Sequence, residues 1–159
     1  MTTTPIPTVG RRDMTILSSG ALAGLLSMAA LALRGRAEAG SAAAPLNAVS
    51  HWLFEERALH LDRADLRHTA LGAIVHVGSS MFWAALYDRI VCRRTPRPAA
   101  LAAGAAGITA VAAVTDFKLI PERLTPGFEH RLSTRSLVLT YALFATGLAL
   151  GAIATRRSR

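Results

Sequence analysis

The chain has a single cysteine, Cys92, in 159 residues, which rules out an internal disulfide. It is also poor in aromatics, at 6% of residues against 52% hydrophobic overall, so most of its apolar content is Ala, Leu, Val and Ile. Such a mixture is unusual for a soluble domain. The sequence has no phosphate-binding Gly-Lys loop, G-x-S-x-G elbow, H-E-x-x-H pair or cysteine metal knuckle, and these absences count against an enzyme of familiar soluble type. Charge is missing as well from four long apolar stretches: Met14 to Leu33, Thr69 to Tyr87, Pro98 to Thr115 and Ser136 to Thr155.

Those stretches are what the sequence does offer. A hydrocarbon core about 30 Å thick is crossed by roughly 20 helical residues at about 1.5 Å each. All four runs qualify, Pro98 to Thr115 narrowly. The expected fold is all-α: an integral membrane bundle of four transmembrane helices, at about 14–33, 69–90, 98–120 and 136–155. They form one domain over 11–159, behind a Thr- and Pro-rich flexible tail at 1–10.

A net charge of +8 raises nucleic acid as a partner, but its distribution argues against that. The 34–68 segment has five arginines and five acids and sums to zero. By contrast, Asp88, Arg89, Arg93, Arg94 and Arg97 leave a short connection at +3, and Arg156, Arg157 and Arg159 add another +3. Short arginine-dense loops resist translocation. Both termini are therefore expected in the cytoplasm, in a multi-pass membrane protein. The expected partners are the lipid bilayer and a membrane protein or a second copy, with no nucleic acid. Cys92 sits beside Arg93 and Arg94, which would lower a thiol pKa. The alternative reading is a small apolar residue at an interface, and nothing else in the chain supports redox chemistry.

The first run has features of a secretion signal: a basic start, a twin arginine, and Ala37-Glu38-Ala39 as an A-x-A site. Its apolar part is about 20 residues, longer than the 7 to 15 usual for a signal, and Arg34 and Arg36 precede the cut, so a retained span is expected. Between the first two runs, Pro45 can open a helix on which Leu46, Val49, Leu53 and Phe54 fall near one side. With Trp52 as an interfacial ring, 45–59 reads as an outer interfacial helix. Asp65 is placed to cap the second span. Pro121 and Pro126-Gly127 end the third near Ile120, and a Ser or Thr near Ser133 opens the fourth. Gly20/Gly24 and Gly147/Gly151 have G-x-x-x-G spacing, which marks close helix crossings or arises by chance in Gly- and Ala-rich segments.

In the second span, Thr69, Gly72, His76, Ser79 or Ser80, Trp83 and Tyr87 form one stripe at helical spacing. Small and polar residues are those that membrane helices turn toward one another, so His76 should point into the bundle. In the expected topology it lies roughly 10 Å below the outer boundary, and Asp116 lies roughly 6 Å below it on the next helix. An isolated charge at that depth is costly, so each group should find a partner or stay neutral. The functional reading is a proton-exchanging or ligand-binding pair, with Ser80 beside it. The plain reading is a structural hydrogen bond between helices.

His51 and Glu55, four apart, and Glu56 and His60, also four apart, have residue types that bind divalent ions. Solvated contacts on a polar helix face explain the same spacing, and no three ligands share a diagnostic one, so the metal, like any cofactor, stays unknown. The stretches "HWLFEERALHLDRADLRHTALGAIVHVGSSMFWAALYDR" and "TDFKLIPERLTPGFEHRLSTRSL" resemble small, uncharacterised bacterial inner-membrane proteins of four spans with a His-Trp segment and an Arg-Leu-Thr-Pro-Gly-Phe-Glu turn. The resemblance implies the four-span fold and transfers no activity and no site residue.

Two functions follow from the sequence. One is a non-enzymatic inner-membrane protein, structural or accessory to a larger assembly. The other is an outward-facing binding protein or small membrane enzyme whose His76/Asp116 pocket takes a metal, a quinone-like ligand or a proton. A filled interior favours the first, and a polar cavity at that depth favours the second.

Overall fold

The computed structural model describes residues 10–93 and 97–157, so the tail expected at 1–10 lies outside the described residues except for Gly10. Among the described residues there is no strand. Four long helices, α1 (Arg11–Glu38), α5 (Leu66–Tyr87), α6 (Pro98–Val114) and α7 (Thr134–Arg157), are joined at one end by three short ones: α2 (Ala44–Val49), α3 (His51–Phe54) and α4 (Glu56–Leu59). Helix α5 continues as a π-helical turn over Asp88–Cys92, and α6 as another over Thr115–Leu119. With these turns, four helices are long and apolar enough to cross a membrane.

The helices outrun the apolar stretches because backbone hydrogen bonding continues wherever end side chains find polar partners. Arg34 and Glu38 pair at 2.5 Å in the last turn of α1, which stays helical five residues past Leu33. At the start of α5 the Asp65 carboxylate accepts from the backbone N–H groups of Arg67 (2.7 Å) and His68 (3.3 Å), as its position predicts. The Arg67 N–H, then that of His68, hold this carboxyl below the usual carboxylate range. Helix α7 is capped from outside. Glu38 accepts from the Ser133 N–H at 2.7 Å and from the Ser133 and Ser136 hydroxyls at 3.1 and 2.6 Å. That tie also makes Glu38, the middle residue of the A-x-A site, part of the folded bundle.

Long helices alternate in direction. Thr15 and Thr155 hydroxyls meet at 3.3 Å, and Arg156 donates to the Cys92 carbonyl at 2.7 Å, so the described ends of the chain share one end of the bundle with the 93–97 connection. Around the bundle the order is α5, α1, α7, α6. Small residues set the spacing. A Cβ on Gly147 would lie 2.4 Å from the Ala23 backbone, and one on Gly151 2.4 Å from that of Ser19, so α7 packs directly on α1. Gly20 and Gly24 face Met81 and Ser80 of α5. Both G-x-x-x-G pairs therefore lie at crossings.

Helices α5 and α6 touch chiefly near their connection, where Tyr87 donates to the Leu101 carbonyl at 2.9 Å and Val91 fills the space beside Gly104. That end holds one core of Tyr87, Leu101, Ile108, Phe144 and Leu148, in which Cys92 is buried as an apolar filler. The opposite end holds a second core of Leu31, Leu46, Val49, Phe128 and Leu132. Of Leu71, Ile74, Val75, Met81 and Phe82, which the stripe leaves free to face lipid, Ile74 and Phe82 are exposed, whereas Val75 packs against the second core and Met81 against Gly20.

The 45–59 segment departs from expectation. It is three short pieces instead of one surface helix, and α2 is buried along its whole length. Two contacts explain this. The Leu46 carbonyl occupies the space a side chain would need at Gly72, and buried Asn47 donates to the carbonyls of Leu61 and Arg63 while accepting from Thr69 at 2.6 Å. The chain then breaks at Glu55, which takes a φ of 56°. After α6, two 3₁₀ turns, Glu122–Leu124 and Phe128–His130, close over the second core. Gly127 between them has φ 82°, and a Cβ there would sit 2.5 Å from the Ala48 carbonyl oxygen, so both conformation and space require glycine.

Candidate functional site

The interior is not filled. A cavity of about 420 Å³ lies where α5 and α6 part, floored by α1 and α7 and roofed by α2, α3 and the 120–128 turns. His76, Ser80 and Asp116 all line it. Its wall reaches the surface at Phe82 (59% exposed) and Leu124 (43% exposed), so the cavity opens on the α5/α6 side.

The stripe on α5 carries His76 inward, and Ser80 one turn later is 1% exposed. Of the two serines in the stripe, Ser80 is buried and Ser79 faces out. His76 Nε2 lies 2.8 Å from the Ser27 hydroxyl of α1, and the Gly24 carbonyl also faces the ring. Ser27 donates its own proton to the Ala23 carbonyl at 2.7 Å, so Nε2 carries the ring hydrogen and donates to Ser27. On the opposite wall, Asp116 projects from the π-helical turn that ends α6. Its Oδ2 accepts from the Tyr141 hydroxyl of α7 at 2.6 Å. Rings stack around that bond: Phe117 and Phe128 approach Tyr141 edge-on at 5.7 and 6.5 Å.

No direct hydrogen bond joins His76 to Asp116. Each is held by a different helix, His76 by α1 and Asp116 by α7, and they face one cavity from two sides. His51 and Glu55 do not join them. His51 is buried beside the cavity, its Nδ1 donating to the Ala48 carbonyl at 2.8 Å. Glu55 is exposed at the break after α3, so the two share no helix face despite their spacing. His68 is turned aside, its ring 4.5 Å from that of Phe54. Among the described residues no group of three or more His, Cys, Asp or Glu side chains is placed to hold a metal ion.

Ser27, Tyr141 and Phe128 went unread in the sequence. Two signals were available. Ser27 continues the Gly20, Gly24 spacing on α1, and Tyr141 is a phenol inside the uncharged run at 136–155. Among the described residues, fold and site together define a bundle of four long helices, with the lengths and composition of membrane spans, and a polar-lined cavity where α5 and α6 part. No protein family, curated protein or solved structure matches this chain.

Proposed function

We propose that this is a multi-pass protein of the bacterial inner membrane that binds a small lipophilic molecule in the cavity between α5 and α6. One observation carries the reading: a polar- and aromatic-lined cavity of about 420 Å³ stands where a purely structural bundle would be filled. That volume is within the roughly 300–1,000 Å³ range of small-molecule sites. Entry is lateral. With the arginine-rich end in the cytoplasm, the mouth beside Phe82 faces the bilayer, and a hydrophobic molecule reaches the site without crossing water. Exposed Leu53 and Leu66, with half-buried Trp52, then lie at the outer interface, so the 44–59 segment acts as a roof at that level and not as a separate surface helix.

The test is co-purification. Full-length protein extracted in mild detergent should carry a lipophile detectable by mass spectrometry of the solvent extract. Ala112→Phe, which adds a ring to the cavity from α6, should lose it while keeping the helical circular-dichroism spectrum. If the folded wild type carries nothing beyond the bulk lipid composition, the site is not a binding pocket.

A further inference from the structure

Nearly every hydrogen-bond donor at the polar end of the cavity is already spent within the protein. The hydroxyls of Ser80, Thr115 and Thr140 donate to carbonyls four residues back in their own helices, at 2.8 to 2.9 Å. Ser27 donates to Ala23, Tyr141 to Asp116, and the Trp52 indole N–H to the Thr125 carbonyl at 2.8 Å. Among the described residues no lysine or arginine lines the cavity. The donors left among the lining side chains are the Ser79 hydroxyl, on the exposed side of α5, and the Trp83 indole, about 10 Å further along α5 from His76.

What the polar end offers is acceptors. Asp116 Oδ1 takes no hydrogen bond from any described residue, since Tyr141 uses Oδ2. With the proton on Nε2, His76 Nδ1 keeps its lone pair. These two acceptors sit on consecutive antiparallel helices, facing the cavity from opposite sides. Around them are flat walls: Trp83, Phe128, Tyr141 and Phe144.

We infer that the cavity selects a neutral aromatic diol, the reduced form of a quinone, over the oxidised dione, with one hydroxyl donating to Asp116 Oδ1 and the other to His76 Nδ1. This rests on the pocket reading above. A para-diol presents two O–H donors at opposite edges of a planar ring, one for each acceptor. A dione presents only lone pairs, and buried acceptors set against lone pairs stay unsatisfied at a cost. An anionic head is refused for the same reason, with the Asp116 carboxyl adding to the mismatch. The ring lies among the aromatic walls, and its alkyl chain leaves by the mouth at Phe82 and Leu124.

The experiment is calorimetric titration of the full chain in lipid nanodiscs, under anaerobic conditions, with decyl-1,4-hydroquinone, the corresponding decyl-1,4-benzoquinone, and decyl phosphate. The diol should bind at least about tenfold more tightly than the dione, the ratio expected of one net hydrogen bond. Asp116→Asn, whose amide can donate to a carbonyl, should narrow or reverse that preference. His76→Phe should weaken the diol alone, and His76→Gln, which restores an acceptor, should recover part of the loss. Equal binding of diol and dione, or tight binding of decyl phosphate, overturns the selectivity and leaves the pocket standing. Absence of binding by all three, in protein that also carries no co-purified lipophile, removes both readings.

Discussion

Tyr141 donates its hydroxyl to Asp116 across 2.6 Å, joining the π-helical turn after α6 to the first half of α7. A carboxyl so placed is costly without a partner, and the phenol is the partner the sequence supplies. Tyr141→Phe should therefore lower stability by about 1–3 kcal/mol, because it leaves the Asp116 oxygen unsatisfied while keeping the ring packing. Tyr141→Phe combined with Asp116→Leu should cost less than the sum of the single changes. Additive shifts in thermal unfolding midpoint in detergent would show that the bond does not couple the two helices.

The same logic identifies His76's partner. Ser27 holds the ring at 2.8 Å, and no direct bond reaches Asp116. In double-mutant cycles His76→Ala should couple more strongly to Ser27→Ala than to Asp116→Ala, by about 0.5 kcal/mol or more. Thermal unfolding of the six proteins in the two cycles decides it, and a larger coupling to Asp116 would mean that the two cavity walls close on each other.

Glycines in this chain divide by what a methyl group would meet. At Gly147 and Gly151 it would lie 2.4 Å from the α1 backbone, while at Gly78 and Gly107 nothing lies within 4 Å. Gly147→Ala should force the helices apart and cost about 1–3 kcal/mol. Gly107→Ala should stabilise by about 0.5–1 kcal/mol through helix propensity alone. Opposite signs are the prediction. Shifts of the same sign at both sites would show that the α1/α7 crossing tolerates separation.

The difference between crossing and open glycines shows where sequence reasoning reaches and where it stops. Run length and charge placement give four long helices, because the cost of unpaired backbone and buried charge is a one-dimensional property of the chain. The inward stripe on α5 is legible for the same reason: helical spacing alone puts Gly72, His76 and Ser80 on one side. Which helix His76 meets is not legible. The choice of Ser27 over Asp116 depends on α5 packing beside α1, and that follows from Gly20 and Gly24 facing Met81 and Ser80 in three dimensions. The burial of α2 escapes the sequence similarly. Its apolar spacing fits a surface helix equally well until the bare backbone at Gly72 is found to receive the Leu46 carbonyl.

Topology is open to a direct check. The described ends of the chain and the 93–97 connection share one end of the bundle, so any insertion puts them on one side. Arginine density predicts that this side is the cytoplasmic one. Reporter fusions after residues 95 and 159 should both read as cytoplasmic, and a fusion after residue 63 as periplasmic. A periplasmic signal after residue 95 would invert the bundle and turn the roof of the cavity toward the cytoplasm.

The last prediction concerns the cap that α1 provides for α7. A helix start leaves its first backbone N–H groups without intrahelical partners, and a residue of the same segment normally supplies the acceptor. Here Glu38, from the far end of another helix, accepts from the Ser133 N–H and from the Ser133 and Ser136 hydroxyls, and Arg34 holds it at 2.5 Å while donating to Ser136 at 2.7 Å. The tie fixes the register of α1 against α7 at the end where no glycine contact does so. Glu38→Ala should thus free the first turn of α7 before it affects the rest of the bundle. Amide hydrogen exchange at 133–137 should speed up markedly, while exchange near the Gly147/Ala23 contact stays slow. Arg36→Ala, on an exposed neighbour in the same turn, should leave both regions unchanged. If Glu38→Ala leaves exchange at 133–137 at the wild-type rate, α7 caps itself and the register is set by the glycine contacts alone.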